Sequence, residues 1–221
     1  MLEKLACKLG RNDEAPNIEL AEELCRNNDT AGIKEIVDGL MGADKAVAND
    51  CIKVLYEIGE RKSGLIAGYA DEFLSRMRSK NNRLAWGSMV ALAKIAEHAP
   101  KPIFEKLSVV VAAYEEGSVI TIDNSISVFA GLCKADESYA KEVLPILVSH
   151  LQKCRPKDVP QHAERASVCF NRENAGAFIV VLEKRLPDLA IAGQVRVKKL
   201  LRKLYELEQG AMAPAQFESA N

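Results

Sequence analysis

The chain has 221 residues, 48% hydrophobic and 28% charged, the balance of a folded protein, which excludes disorder over most of its length. Lys and Arg total 30 against 31 Asp and Glu, a formal charge of −1, so the basic excess of a typical nucleic-acid binder is absent. No window reaches the roughly 20 apolar residues of a membrane span, and the opening "MLEKLACKLGRNDEAPN" lacks the apolar run of a secretion signal, so a cytoplasmic protein with no membrane contact is expected.

Residues 1–28 contain two short amphipathic stretches, "LEKLACKL" and "NIELAEELCRN", predicted to be helices that cap the first repeat unit. From residue 29 a period emerges. Ile36, Phe73, Val110 and Leu147 are each 37 residues apart, as are Val37, Leu74, Val111 and Val148. Leu40, Met77, Tyr114 and Leu151 repeat at the same interval, and so do Ile33, Ala70, Leu107 and Leu144. Within one copy these positions are i, i+3, i+4 and i+7, the apolar stripe of a helix.

A second stripe comes later in each copy. Its columns are Ile52, Met89 and Ile126; Leu55, Leu92 and Phe129; and Ile58, Ile95 and Leu132. Asp44, Asn81 and Ser118 precede this second helix at the same interval, and all three residue types accept hydrogen bonds from first-turn amides as N-caps. The predicted helix pairs are 30–41 with 44–60, 64–79 with 81–98, 101–116 with 118–134, 138–153 with 158–171, and 174–186 with 189–208. The last unit is shortened, because Leu147 and Leu151 map onto Leu182 and Leu186 at a shift of 35.

"SVITIDNSISVF" pulls the other way, since its β-branched residues favour a strand. The repeat frame puts Val119–Ile122 in the first turn of a helix, and packing commonly overrides local propensity. Residues 208–221 carry no apolar period and are expected to form a flexible tail. Six cysteines are scattered without a CxxC pair and are expected to be reduced and mostly buried.

Two further features carry a family resemblance. "VLPILVSHL" places Pro145 inside a first helix, and "QVRVKKLLRKL" and "NRLAWGSMVALAKIA" place Arg196 and Arg83 near the start of second helices. These patterns resemble the HEAT-repeat family, to which armadillo-type repeats are closely related, over about residues 29–207. The first three units lack the proline, and the first and third lack the arginine. The resemblance implies an all-α, right-handed α-α superhelix of about five helix pairs with an N-terminal cap. It also implies that second helices line a concave surface where partners bind.

Residues outside the core columns of the second helices are therefore the candidate contacts. Asn49, Trp86 and Asp123 share one column; Asp50, Gly87 and Asn124 the next; Lys53, Val90 and Ser127 a third; Glu57, Lys94 and Gly131 a fourth. Trp86 stands where the flanking units are polar. It is either a binding anchor or a ring packed on a neighbouring loop or on the adjacent second helix. The proposed binding set is Asn49, Lys53, Trp86, Asp123, Asn124 and Ser127.

The expected function is a non-catalytic scaffold for a protein or peptide partner, with no cofactor and with nucleic acid not expected as a ligand. Two enzyme-type alternatives come from resemblance. HEAT-like DNA glycosylases for alkylated bases use aromatics and an aspartate, which Trp86 and Asp123 would supply; the balanced charge counts against them. The second is a phycobilisome-lyase-like HEAT protein acting on a tetrapyrrole. His150 and Cys154 lie four apart with His162 beyond, but structural zinc takes four ligands and no second pair has ligand spacing, so no metal is expected. His98 falls at a helix end, where an imidazole suits the dipole. Arg196, Lys198, Lys199, Arg202 and Lys203 make the last helix locally basic, a solvated face or a site for an acidic partner.

Overall fold

The computed structural model describes residues 1–210 and contains two compact units, Met1–Ala140 and the chain from Lys141 onward. Among the described residues every regular element is helical. Of the tail expected over 208–221, Gln209 still belongs to the last helix, and residues from 211 on lie outside the described part.

In the first unit a short 3-10 turn at Leu2–Lys4 precedes α1 (Ala15–Asn27). Then come α2 (Thr30–Met41), α3 (Lys45–Lys62), α4 (Ala70–Arg76), α5 (Asn82–Ile95), α6 (Pro100–Glu105), α7 (Leu107–Glu116) and α8 (Val119–Ala135). Helix α1 packs along α3, α3 along α5, and α5 along α8, so these four form one row. A second row covers one side of it: α2 lies on α3, α4 on α5, and α7 on α8.

The apolar period explains this packing. All nine second-stripe residues, from Ile52 to Leu132, are at most 1% exposed. The three caps also form as expected. Asp44 Oδ1 accepts from the amides of Ala46 and Val47 at 2.9 and 3.2 Å, Asn81 Oδ1 from Arg83 at 3.1 Å, and Ser118 Oγ from Thr121 at 3.3 Å. The β-branched segment is helix, not strand. Burial of Ser125, Ile126, Phe129 and Leu132 further along α8 outweighs the preference of its first turn, where Val119 and Ile120 face solvent.

Two first helices depart from expectation. The stretch 64–79 begins as 3-10 turns at Ser63–Leu65 and Ala67–Tyr69 before α4, and Gly64 and Gly68 lie within it. Glycine raises the cost of helix by about 1 kcal/mol each, enough to break a marginal turn. The stretch 101–116 divides at Lys106 into α6 and α7, and the matching columns loosen there, with Leu107, Val111 and Tyr114 only half-buried.

Glycines let the second helices approach closely. A Cβ on Gly87 of α5 would fall 2.7 Å from Ile52 Cγ1 of α3, and one on Gly131 of α8 would fall 2.7 Å from the Cβ of Ala96, just past α5. Side chains at these positions would push neighbouring helices apart.

The helix α9 (Glu137–Lys153) carries the chain across the boundary between units. It runs through Pro145 without interruption. The second unit continues with α10 (Val159–Ala166), α11 (Ala175–Arg185) and α12 (Ile191–Gln209), and α12 packs on both α10 and α11. Its core includes Leu147, Leu151, Phe178, Leu182, Val197 and Leu204. Arg185, 8% exposed, donates to the carbonyls of Leu151 at 2.7 Å and Cys154 at 2.8 Å, satisfying acceptors that the end of α9 leaves open.

Candidate functional site

The row α1, α3, α5, α8 turns one side toward its covering helices and leaves the other accessible. On that accessible side the charges are not scattered. Lys53 of α3, 7% exposed, bonds Glu57 Oε1 at 2.8 Å, one helical turn on, and Glu14 Oε2 at 3.0 Å, at the N-cap of α1. Glu14 also pairs with Arg83 of α5. Glu57 pairs with Arg61, which reaches Glu22 of α1 at 3.0 Å. The resulting series Arg83, Glu14, Lys53, Glu57, Arg61, Glu22 alternates in sign and joins three helices.

Burial penalises the charges of Lys53, Glu14 and Glu57, and pairing outweighs it. Desolvation works against the Lys53 ammonium, yet its hydrogen bonds to Glu57 and Glu14 hold its pKa above the ordinary lysine value. Burial likewise pushes the carboxyls of Glu14 and Glu57 up, but the cations beside them leave both below the usual carboxylate range. At neutral pH all three are charged and fixed in place.

Two aromatic rings border the network. Lys53 Nζ lies 4.9 Å from the centroid of the Tyr56 ring, within cation–π range. Tyr56 in turn meets Trp86 of α5, ring centroids 6.0 Å apart and tilted by 44°. Both rings are half-buried, so part of each is left to solvent. Beside them Asn81 Nδ2 donates to Asn49 Oδ1 at 2.7 Å, tying the cap of α5 to α3. Asn49 also lines an open cleft of about 210 Å³ with Arg11, Asp13, Glu14, Asp50 and Arg83. The surface thus offers fixed charges of both signs, amide groups and two aromatic faces, an arrangement suited to binding.

No family model matches the sequence, and no curated protein is significantly similar to it. Solved structures are similar in fold. An engineered protein gives a TM-score of 0.68 at 19% identity, with 93% of this chain and 96% of that one covered. A computationally designed armadillo repeat protein for modular peptide recognition gives 0.65 at 16% identity, over 85% of this chain and 91% of its own. A further designed armadillo repeat protein gives 0.65 at 16%, covering 92% of this chain and 100% of that one. The chain has an armadillo-like fold, an α-solenoid.

Within this armadillo-like chain the six residues expected to bind fall into two groups. Asn49, Lys53 and Trp86 come together on α3 and α5. Lys53 lies beneath its partners rather than standing free. Asp123, Asn124 and Ser127 lie half-buried on the next second helix, α8. Asn124 turns back to donate to the Ile120 carbonyl at 2.8 Å, and Asp123 and Ser127 are engaged in interactions of their own. On α12, Arg196 of the locally basic run is paired with Glu164 at 2.5 Å.

Sequence reasoning missed Glu14, Tyr56 and Arg61. Glu57 stood in one of the columns, and Arg83 stood out at the start of α5, so their positions were visible without their roles. Glu14 could not be found from the period, because it lies before the first repeat. In the second unit one group of metal-capable donors converges among the described residues: His150, Cys154 and His162.

Proposed function

We propose that this armadillo-like chain is a non-catalytic scaffold that binds an extended peptide or protein segment along the accessible face of α1, α3 and α5. The observation that carries this reading is the Tyr56–Trp86 pair, half-buried and set directly beside the Lys53 network. Rigid amphipathic rings lose little entropy on contact and dominate binding surfaces. Charges held by mutual pairing meet a ligand without reorganisation. Their alternating signs suit a segment carrying both acidic and basic side chains, whereas a phosphate backbone would call for a basic stripe. Structural similarity to proteins designed for peptide recognition supports the same reading.

The test is selection of peptides from a displayed random library against the full chain, followed by titration of the best binder. Trp86 is the only tryptophan, so its emission reports occupancy of this face. Binding should perturb that emission, and Trp86→Ala should weaken affinity by roughly 30-fold or more, the loss of one hot spot, with helicity unchanged. Equal affinity in Trp86→Ala would remove this face as the site.

A further inference from the structure

We propose that His150, Cys154 and His162 form a binding site for a zinc-class divalent cation, with water completing the coordination. The three donors come from the two helices of the fourth pair and the residue that follows the first. His150 lies in the last turn of α9, Cys154 comes one turn on, and His162 lies in the first half of α10. Positions i and i+4 share a helix face, and the turn into α10 returns His162 to that face.

The donor atoms of all three lie within 4.8 Å of one another. His150 Nε2 and His162 Nδ1 are 2.7 Å apart and face each other, with the two residues only 6% and 2% exposed. One ring must donate a proton to the other, so both nitrogens already aim at a common point. In a tetrahedral zinc site, bond lengths of roughly 2.0–2.1 Å to nitrogen and 2.3 Å to sulfur set nitrogens about 3.3 Å apart and each about 3.6 Å from sulfur. The rings therefore need to part by about half an ångström, and the sulfur to approach by about one at most, changes within reach of side-chain torsions.

The chemistry of the set is selective. Two imidazoles and one thiolate favour borderline-soft cations over calcium or magnesium, which take oxygen ligands. Three protein ligands with an open fourth position is an established arrangement for zinc. Cys154 is only partly buried, which gives an ion a route to the otherwise enclosed rings. On binding, Cys154 gives up its thiol proton, and the proton between the rings moves to an outer ring nitrogen. One proton is released per ion. Arg185 holds the carbonyls of Leu151 and Cys154, so the backbone that presents the sulfur is fixed before any ion arrives.

The sequence pattern H-x3-C-x7-H offers no second ligand pair, which is why spacing alone argues against metal. Folding adds proximity rather than a donor: the α9–α10 turn brings His162 back against His150 and Cys154.

The experiment is titration of the chelator-treated full chain with cobalt(II), followed by competition with zinc(II). A thiolate-to-cobalt charge-transfer band that saturates at one ion per chain and is abolished by zinc is the expected result. Cys154→Ser should lose that band and weaken zinc by more than the roughly 10–100-fold typical of losing a supporting partner. Cys7→Ser, which alters another half-buried thiol, should keep the band. Wild-type protein should also melt at a higher temperature with zinc than with magnesium. Absence of the band at stoichiometric cobalt, or its persistence in Cys154→Ser, overturns the proposal. So does a melting temperature unchanged by zinc in the wild-type chain, a readout that no variant's folding can obscure.

Discussion

Trp86 and Tyr56 meet across successive second helices, α5 and α3, and Tyr56 carries the contact on to the Lys53 ammonium. Indole, phenol and ammonium therefore form one chain of contacts between the ring on α5 and the network on α3. The pair should contribute about 0.5–1.5 kcal/mol beyond simple burial. A double-mutant cycle with Trp86→Ala and Tyr56→Ala, followed by urea unfolding and circular dichroism, measures that coupling. Strictly additive losses would mean that the rings are neighbours without an interaction of their own.

Close approach of the second helices predicts an ordering of two glycine variants. Gly131→Ala places a methyl 2.7 Å from the Ala96 Cβ, which moves only with its backbone. Gly87→Ala meets the Cγ1 of Ile52 at the same distance, and that atom shifts with the side chain. Overpacking costs about 1–3 kcal/mol, and the better helix propensity of alanine returns about 1 kcal/mol. Both variants should be destabilised, Gly131→Ala more so. A urea midpoint for Gly131→Ala at or above wild type would refute the close approach of α5 and α8.

Most of this architecture is legible in the apolar period, and what escapes it has a physical cause. The 37-residue interval locates the core columns and the caps at Asp44, Asn81 and Ser118, because burial and capping are local or periodic. It fails at 64–79, where two glycines break the helix, and at Lys106, where the helix divides without a sequence signal. The composition of the face proposed to bind is only partly legible. Trp86 and Lys53 stand out by column, but the Lys53 network depends on Glu14, which belongs to no repeat. His150, Cys154 and His162 are visible as residues, but not their convergence: donors separated along the chain meet through a turn whose path no spacing rule encodes.

Asn81 does two tasks, and its removal should show both. Its Oδ1 caps α5 through the Arg83 amide, while its Nδ2 donates to Asn49. Loss of a cap alone costs about 1 kcal/mol, and a partly buried acceptor left without its donor adds to this. Asn81→Ala should therefore cost more than Ser118→Ala, whose hydroxyl caps α8 and contacts Thr121 within the same turn. Chemical denaturation of the two variants decides it, and equal losses would show that the Asn49 contact adds nothing.

The Lys53 network predicts a pH dependence whose sign is set by its pKa shifts. Glu14 and Glu57 have folded-state values below the ordinary 4.5, so they bind protons more weakly folded than unfolded. Their stabilisation is complete above pH 4.5 and is lost as pH falls from there through the lower folded values. Lys53 is shifted upward from 10.5, so its contribution is complete below that pH and is lost only as pH rises through the folded value. Between these limits the network contributes a plateau. Glu57→Gln should flatten the fall in stability between pH ~7 and pH ~3.5, because one carboxyl with a depressed pKa has been removed. Lys53→Met should flatten it further and cost about 1–3 kcal/mol at neutral pH, less than for an isolated buried pair, since Arg83 and Arg61 still neutralise the two carboxylates. Urea midpoints collected across that range test both variants. An acid slope unchanged in Lys53→Met would mean that the carboxyls owe their low pKa to the arginines alone, and that Lys53 is a passenger in the network it joins.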